Sequence, residues 1–560
     1  MKQLLKLILP VTGRKGVLKY MLLGVVTGLC GFTFINSVTR IIGIMIADNF
    51  AVIKIEYVII FMAVILVYVW SRRALALTSM SLSLRITWTL RKQILSLVLR
   101  AHYWQVVGRI PRIQTAIMND VGALTNASLN AIDFCISIIV ALSCFVYLAT
   151  ISIVLFAITA VVAMIGVTVY YISSRRNIAN LQRSRRLENE FQANFNSILN
   201  GFKEIYIEPA KGNYIYEEKI CTNANESYKH SVWASAGFIN NQMIGQVLFY
   251  LLVTAVLLVF SVLLKIKPAE VVSFIFTLLY LQGSIEAIMV QLPVLARARV
   301  AAEQLLGLRA ELEEVGTRDS LQYTHRFNEP FEKLTVSKLT FGYNTVSSGF
   351  HVGPVTFEAR KGETIFIYGS NGSGKTTFIY ALLSLYMPDN GTIAFNDTLI
   401  DETNYEEYKR LFAVIFSNFY LFNEILTIES PDREKWDNYL HLFELEGKVK
   451  LEGNSFSTVD LSTGQRKRLA LIVALLERKP LLILDEWAAD QDPYFRKKFY
   501  TVILPLLNQE GFTIIAITHD DKYYPLAHKL YSMHDGKLTQ IDLEAYRRAE
   551  QHDEKSMLAN

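Results

Sequence analysis

The sequence predicts an α-helical six-span transmembrane domain fused to an α/β domain built around a glycine-rich loop. Three observations carry that prediction. The 560-residue chain is 52% hydrophobic with a mean hydropathy of +0.27, too long for one domain and too apolar for a soluble protein. All its apolar runs of bilayer length fall before Pro293. Beyond Lys333, β-branched and aromatic strand-like runs alternate with helical ones around Gly369-Ser370-Asn371-Gly372-Ser373-Gly374-Lys375-Thr376-Thr377.

The spans run approximately over Leu18–Ala47, Val52–Trp70, Asn130–Ala149, Ile151–Ile172, Ile244–Leu264 and Val271–Leu292. Ahead of them, Lys2, Lys6, Arg14 and Lys15 surround a short apolar run that is signal-like. No cleavage signal follows and the next apolar stretch is too long, so this segment reads as a cytoplasmic lead-in to a retained helix. Arg72, Arg73, Arg85, Arg91, Lys92, Arg100, Arg109 and Arg112 lie between the second and third spans. Arg175, Arg176, Arg183, Arg185 and Arg186 lie between the fourth and fifth, whereas the alternate loops carry only Lys54, Lys265 and Lys267. The positive-inside rule places both termini and both long loops in the cytoplasm. Topology thus accounts for the net charge of +5, and no nucleic-acid partner is expected. Helical spacing continues through Ile94, Leu95, Val98 and Leu99, so the long loops read as helices projecting beyond the bilayer toward a cytoplasmic domain.

Cys30, Cys135, Cys144 and Cys221 lack any C-x-x-C or zinc-ligand spacing and read as free thiols. Polar residues within the spans are few. Asn36, Arg40, Gln246, Gln282, Glu286 and Gln291 either line a substrate chamber or pair between helices, since ionisable groups facing lipid are costly. Past Pro293, Leu295 to Glu303 continues as an amphipathic helix, and the composition turns polar from Glu311 to Pro330. The expected domains are therefore residues 1–320 and 321–560.

The glycine-rich loop sits between a strand-like and a helix-like run, where backbone N–H groups and the helix N-terminus can cradle phosphate. Lys375 would reach the terminal phosphates, Thr376 would hold Mg²⁺, and Thr377 would add a phosphate contact. Tyr343, ahead of the loop, can stack on a base or serve as a sheet aromatic. The apolar run Leu481-Leu482-Ile483-Leu484 ends in Asp485 and Glu486, one acid for the metal and one to polarise the attacking water. A second strand-like run from Thr513 to Thr518 ends in His519, placed for the γ-phosphate.

Leu461-Ser462-Thr463-Gly464-Gln465, ahead of a helix expected from Arg466 to Leu476, resembles the signature of ATP-binding cassette (ABC) proteins, and all these motifs stand in that family's order. The chain as a whole resembles an ABC half-transporter of the type IV exporter fold. That resemblance implies ATP and Mg²⁺ as cofactors and a head-to-tail homodimer. ATP would lie between the phosphate loop of one subunit and Ser462 and Gly464 of the other, with Gln465 beside them.

Asp485-Glu486-Trp487-Ala488-Ala489-Asp490-Gln491-Asp492-Pro493 and Phe416-Ser417-Asn418-Phe419 narrow the resemblance to bacterial exporters of cyclic peptides, lipopeptides and peptide siderophores, including syringomycin, pyoverdine and microcin exporters. In that alignment Asp492 falls in the D-loop, and Ser417 replaces the Q-loop glutamine that bridges Mg²⁺, water and the membrane domain. The helical subdomain expected between Phe419 and Asp460 is short. No cysteine-peptidase domain is expected ahead of the first span, so a peptide cargo would arrive already processed. The resemblance implies ATP-driven export across the bacterial inner membrane. A lipid or multidrug exporter and an ATP-gated sensor without transport are the rival readings.

Overall fold

The computed structural model describes residues 22–34, 36–39, 41, 55–313, 327, 329–343 and 349–547. Its contacts divide the chain into two units, Met1–Ala101 with Gln105–Thr317, and His102–Trp104 with Arg318–Asn560. Arg40 and the basic lead-in fall outside the described residues.

Among the described residues of the first unit, six helices are long and apolar enough to cross a membrane: α1 (Leu22–Thr39), α2 (Ile55–Arg100), α3 (Ile110–Ile151), α4 (Ile153–Asn200), α5 (Pro209–Leu263) and α6 (Pro268–Glu313). Each of α2 to α6 exceeds 40 residues, whereas about 20 suffice to span a bilayer. The helices therefore continue well past their apolar stretches. The basic run after Trp70 is a direct extension of the second span, ending only at Arg100. Likewise α6 passes through Pro293 and reaches Glu313, so Glu311 belongs to the helix and not to the polar linker expected from that residue. Glu311 accepts from Arg109 Nε at 2.9 Å and Arg112 Nη1 at 2.8 Å, which hold its carboxyl below the usual range.

Two apolar clusters organise these helices. One joins Ile86, Leu90 and Ile94 of α2 to Leu124 of α3 and Ala298 and Leu305 of α6. The other joins Cys144 and Leu148 of α3 to Leu155 of α4, Phe249 and Leu252 of α5, and Phe274 and Leu278 of α6. Of the residues that predicted an extended α2, Ile94 is buried and Val98 packs beside it, while Leu95 and Leu99 stay exposed.

Among its described residues, the second unit carries two main sheets. One has the order β2 (His351–Arg360), β1 (Lys333–Gly342), β4 (Asn390–Phe395), β5 (Thr398–Leu399). The other runs β12 (Lys537–Ile541), β11 (Lys529–His534), β3 (Thr364–Tyr368), β10 (Thr513–Ile517), β9 (Leu481–Asp485), β6 (Phe412–Ile415). All its pairings are parallel except β11 with β12. A short ribbon of β7 (Leu451–Glu452) and β8 (Ser455–Phe456) follows helix α7 (Arg433–Leu442) in the short subdomain.

Both faces of the central strands are covered, which explains their unbroken apolar sequences. On β3, Ile365 and Ile367 pack with Phe378 and Ile379, whereas Phe366 faces Leu469 and Ile472. On β9, Leu481 and Ile483 share the first cluster, and Leu482 and Leu484 the second. Ile517 pairs in register with both Ile367 and Asp485. The segments after β3, β9 and β10 therefore emerge together at one sheet edge, where α/β folds place their ligands.

Candidate nucleotide-hydrolysis site

The segment leaving β3 turns through Gly369 to Gly374 and enters helix α8 (Lys375–Leu382). Gly374, at φ 106°, occupies the left-handed region that favours glycine. A Cβ on Gly369 would come within 2.1 Å of the Met533 carbonyl oxygen, so the turn needs glycine for space. Lys375 is 6% exposed, and its Nζ donates to the carbonyls of Gly369 at 2.8 Å and Ser370 at 2.9 Å. Burial lowers its pKa, against the opposing fields of Glu486 and Asp485. Asn371 and Gly372 are exposed at the tip, and Ser373 is buried with its Oγ unpartnered.

Thr376 Oγ1 donates to Asp485 Oδ2 at 3.4 Å, linking the loop to the end of β9. Burial raises the Asp485 pKa, and Glu486 raises it further. Ser417, just past β6, lowers it through its N–H and hydroxyl, as Thr376 also does. Asp485 Oδ1 is buried without a hydrogen-bond partner. That orphaned oxygen beside the Thr376 hydroxyl is a donor set suited to Mg²⁺, which prefers hard oxygen ligands.

Glu486 is held at φ 51°, a conformation uncommon for a residue with a side chain. Its N–H donates to the Ile517 carbonyl at 3.1 Å, and its carbonyl accepts from Lys467 Nζ at 2.9 Å. His519 Nε2 lies 3.2 Å from Glu486 Oε1. Behind His519, Asp520 is fixed by Tyr500 at 2.8 Å and Arg496 at 3.3 Å. Tyr343 packs edge-on against Phe341 and Tyr386, with its hydroxyl 3.3 Å from Thr377 Oγ1.

The signature helix α9 (Thr463–Leu476) starts three residues earlier than expected, because Ser462 and Gln465 form a reciprocal capping box. Gly464 lies against the turn after β9, where a Cβ would come within 2.8 Å of the Asp490 carbonyl oxygen. Gln491 Nε2 donates to the Gly464 carbonyl at 3.1 Å. Arg468 joins Gln491 Oε1 and Asp492 Oδ2, each at 2.8 Å. Asp492 also caps the next helix, its Oδ1 accepting from Phe495 N at 2.9 Å. Among the described residues, Ser462 and Gly464 make no hydrogen bond to the phosphate loop of their own protomer.

Lys467, Arg468 and Gln491 did not stand out in the sequence. Lys467 is 2% exposed, but its position near a helix start reads as a solvated cation until the Glu486 carbonyl and Asp490 are seen around it.

In the first unit, Gln246, Gln282 and Glu286 line one cavity of about 410 Å³. Gln291 and Asn36 do not line it. Gln242, also unrecognised from the sequence, lies one turn before Gln246 and donates to Glu286.

Residues 352–489 match the ABC transporter family. Over 441 residues the chain is 31% identical to the ATP-binding protein SyrD of Pseudomonas syringae pv. syringae, spanning 76% of this chain and 77% of that protein. The chain belongs to the ABC transporter family. The transporter is also 31% identical over 207 residues to the methionine import ATP-binding protein MetN of Lactobacillus johnsonii, spanning 33% of this chain and 58% of MetN. Its fold matches that of a bacterial Atm1-family ABC exporter solved with ATP bound, with a TM-score of 0.77, 14% identity and 96% of each chain covered. The transporter is thus a multi-pass membrane protein that binds ATP and couples its hydrolysis to transport.

Proposed function

We propose that this transporter exports a cyclic or modified peptide, a lipopeptide, or a peptide siderophore or its precursor across the bacterial inner membrane, as a homodimer with cytoplasmic termini. The observation that carries the dimer is the signature: Ser462 and Gly464 stand at a helix start with no bond to their own phosphate loop. A second copy would bring them to the nucleotide on Gly369 to Thr377, with Asp492 at the interface. Peptide-like cargo rests on the run from Asp485 to Pro493 and on the likeness to SyrD.

In the hydrolytic step, Lys375 exchanges its loop carbonyls for the terminal phosphates. Thr376 and Asp485 would hold Mg²⁺, which would offset phosphate charge, while Ser417 orients Asp485. Glu486 takes the proton of the attacking water, and His519 holds that carboxylate and contacts the γ-phosphate. Tyr343 offers its ring to the adenine.

ATP-driven uptake into inverted vesicles tests the reading. Peptide-like compounds from a producing culture should accumulate in wild-type vesicles and not in Glu486→Gln vesicles. Accumulation of lipids or unrelated amphiphiles alone would favour the multidrug reading, and hydrolysis without uptake of any compound would favour the sensor.

A further inference from the structure

Glu286 sits in the wall of the 410 Å³ cavity with an unbalanced set of partners. Gln242 and Gln246, one turn apart on α5, both donate to the same oxygen, Oε1, at 2.8 and 3.0 Å. Oε2 has no partner among the described residues. One turn earlier on α6, Gln282 donates to Tyr250 at 3.4 Å. The remaining wall is chiefly aliphatic and aromatic, including Phe145, Val162 and Leu252, and among the described residues no Lys, Arg or His lines it. A carboxylate in such surroundings is costly unless paired. Its two amide donors fix its direction without neutralising it.

We propose that this cavity binds the cationic group of an amphiphilic cargo, with Glu286 Oε2 pairing an ammonium or guanidinium while the apolar wall takes the attached hydrocarbon. The volume is at the low end for ligand pockets, so one apolar arm with one cation enters, as a side chain of a larger peptide or as a small amphiphile. This rests on the export reading and names the charge of what is exported.

The test uses full-length transporter in nanodiscs and three diphenylhexatriene probes sharing one tail, with a trimethylammonium, no charged group, or a propionate. Binding is read as energy transfer from the protein's tryptophans. The cationic probe should bind at least tenfold tighter than the uncharged one, and Glu286→Gln should erase that preference. Gly166 also lines the cavity, and a Cβ there meets nothing within 4 Å. Gly166→Leu should therefore fill the space and weaken both probes without touching the acid.

Equal binding of the three probes by wild type overturns the proposal, as does a cationic preference that survives in folded Glu286→Gln. Should that variant not fold, undiminished binding of the cationic probe by Gly166→Leu overturns it instead. Vesicle uptake separates the two levels. Accumulation of the uncharged or anionic probe but not the cationic one defeats this inference alone, whereas failure of every compound to accumulate defeats the export reading with it.

Discussion

Lys467 Nζ lies 2.9 Å from the main-chain carbonyl oxygen of Glu486 and 2.7 Å from Asp490 Oδ2, almost wholly out of solvent. It braces a residue held at φ 51°, where backbone strain costs on the order of 1–3 kcal/mol. Each hydrogen bond offsets about 0.5–1.5 kcal/mol of that. Removing the brace should let Glu486 relax without disturbing the phosphate loop. Lys467→Met is expected to lower kcat for ATP by roughly tenfold, about 1.4 kcal/mol, while KM stays within about twofold. Lys467→Gln, which keeps a donor, should recover part of the loss. Steady-state phosphate release in nanodiscs reads both constants, and a KM rising in step with a falling kcat would place Lys467 in nucleotide binding instead.

Glu486 and His519 are expected to differ in severity. Glu486→Gln keeps the side-chain shape but removes the proton acceptor, so turnover should fall by about 10²–10⁴ with ATP still bound. His519→Ala leaves the carboxylate in place while removing its 3.2 Å partner and a γ-phosphate contact, so a smaller fall is expected. Single-turnover hydrolysis beside equilibrium binding of labelled ATP distinguishes the variants. Equal losses would mean that the two side chains act as one unit.

The strand-end chemistry was legible in the sequence because both faces of the central sheet are buried. Leu481 to Leu484 has no polar interruption, so the first polar residues, Asp485 and Glu486, mark where the strand reaches the open edge. Gly369 to Lys375 was legible for a related reason, since its glycines answer backbone requirements such as the Met533 carbonyl beside Gly369. Lys467 was hidden because sequence spacing does not show what a cation meets across the fold. The polar span residues were hidden for the same reason: Gln246, Gln282 and Glu286 share a cavity while Gln291 and Asn36 do not line it, and only helix rotation decides which. Helical structure continues past the apolar spans, as the spacing through Ile94 and Val98 leads one to expect, because apolarity stops at the bilayer and helix formation does not. Past Trp70, residues such as Ile86 and Leu90 find a second apolar cluster that keeps α2 helical to Arg100.

Arg468 and Asp492 tie the signature helix to the turn after β9, and the tie should be visible in stability. Asp492→Asn keeps an acceptor for Phe495 N but removes the nearer anion of the largely buried Arg468 guanidinium, leaving only Glu444 at 3.8 Å. An apparent melting temperature about 2–4 °C lower is expected, the shift that about 1 kcal/mol produces in a domain of this size. Phe495 N–H and Arg468 hold the Asp492 carboxyl below the usual range. A depressed carboxylate contributes stability above its unfolded pKa and loses it as pH falls through the folded value. The gap between wild type and variant should therefore be full at pH 7 and close only in strong acid.

Asp485 should show the opposite sign. Burial raises its pKa, so the folded protein binds that proton more tightly than the unfolded chain and gains stability as pH falls toward the raised value. At neutral pH the ionised carboxylate is a cost, and Oδ1 is buried without a partner to reduce it. Asp485→Asn is therefore expected to leave the apparent melting temperature of the nucleotide-free transporter unchanged or raised, with any gain shrinking as the pH is lowered. The same variant should lose most of the extra stability conferred by Mg²⁺ with ATP, since a ligand stabilises only through its affinity for the folded state. Chelating Mg²⁺ with EDTA should bring wild type to the same level and stop phosphate release. Thermal unfolding at pH 5.5 and 7.5, with and without Mg²⁺ and ATP, checks all three statements. A nucleotide-free variant less stable than wild type would show that the carboxylate is held for the fold and not for the metal.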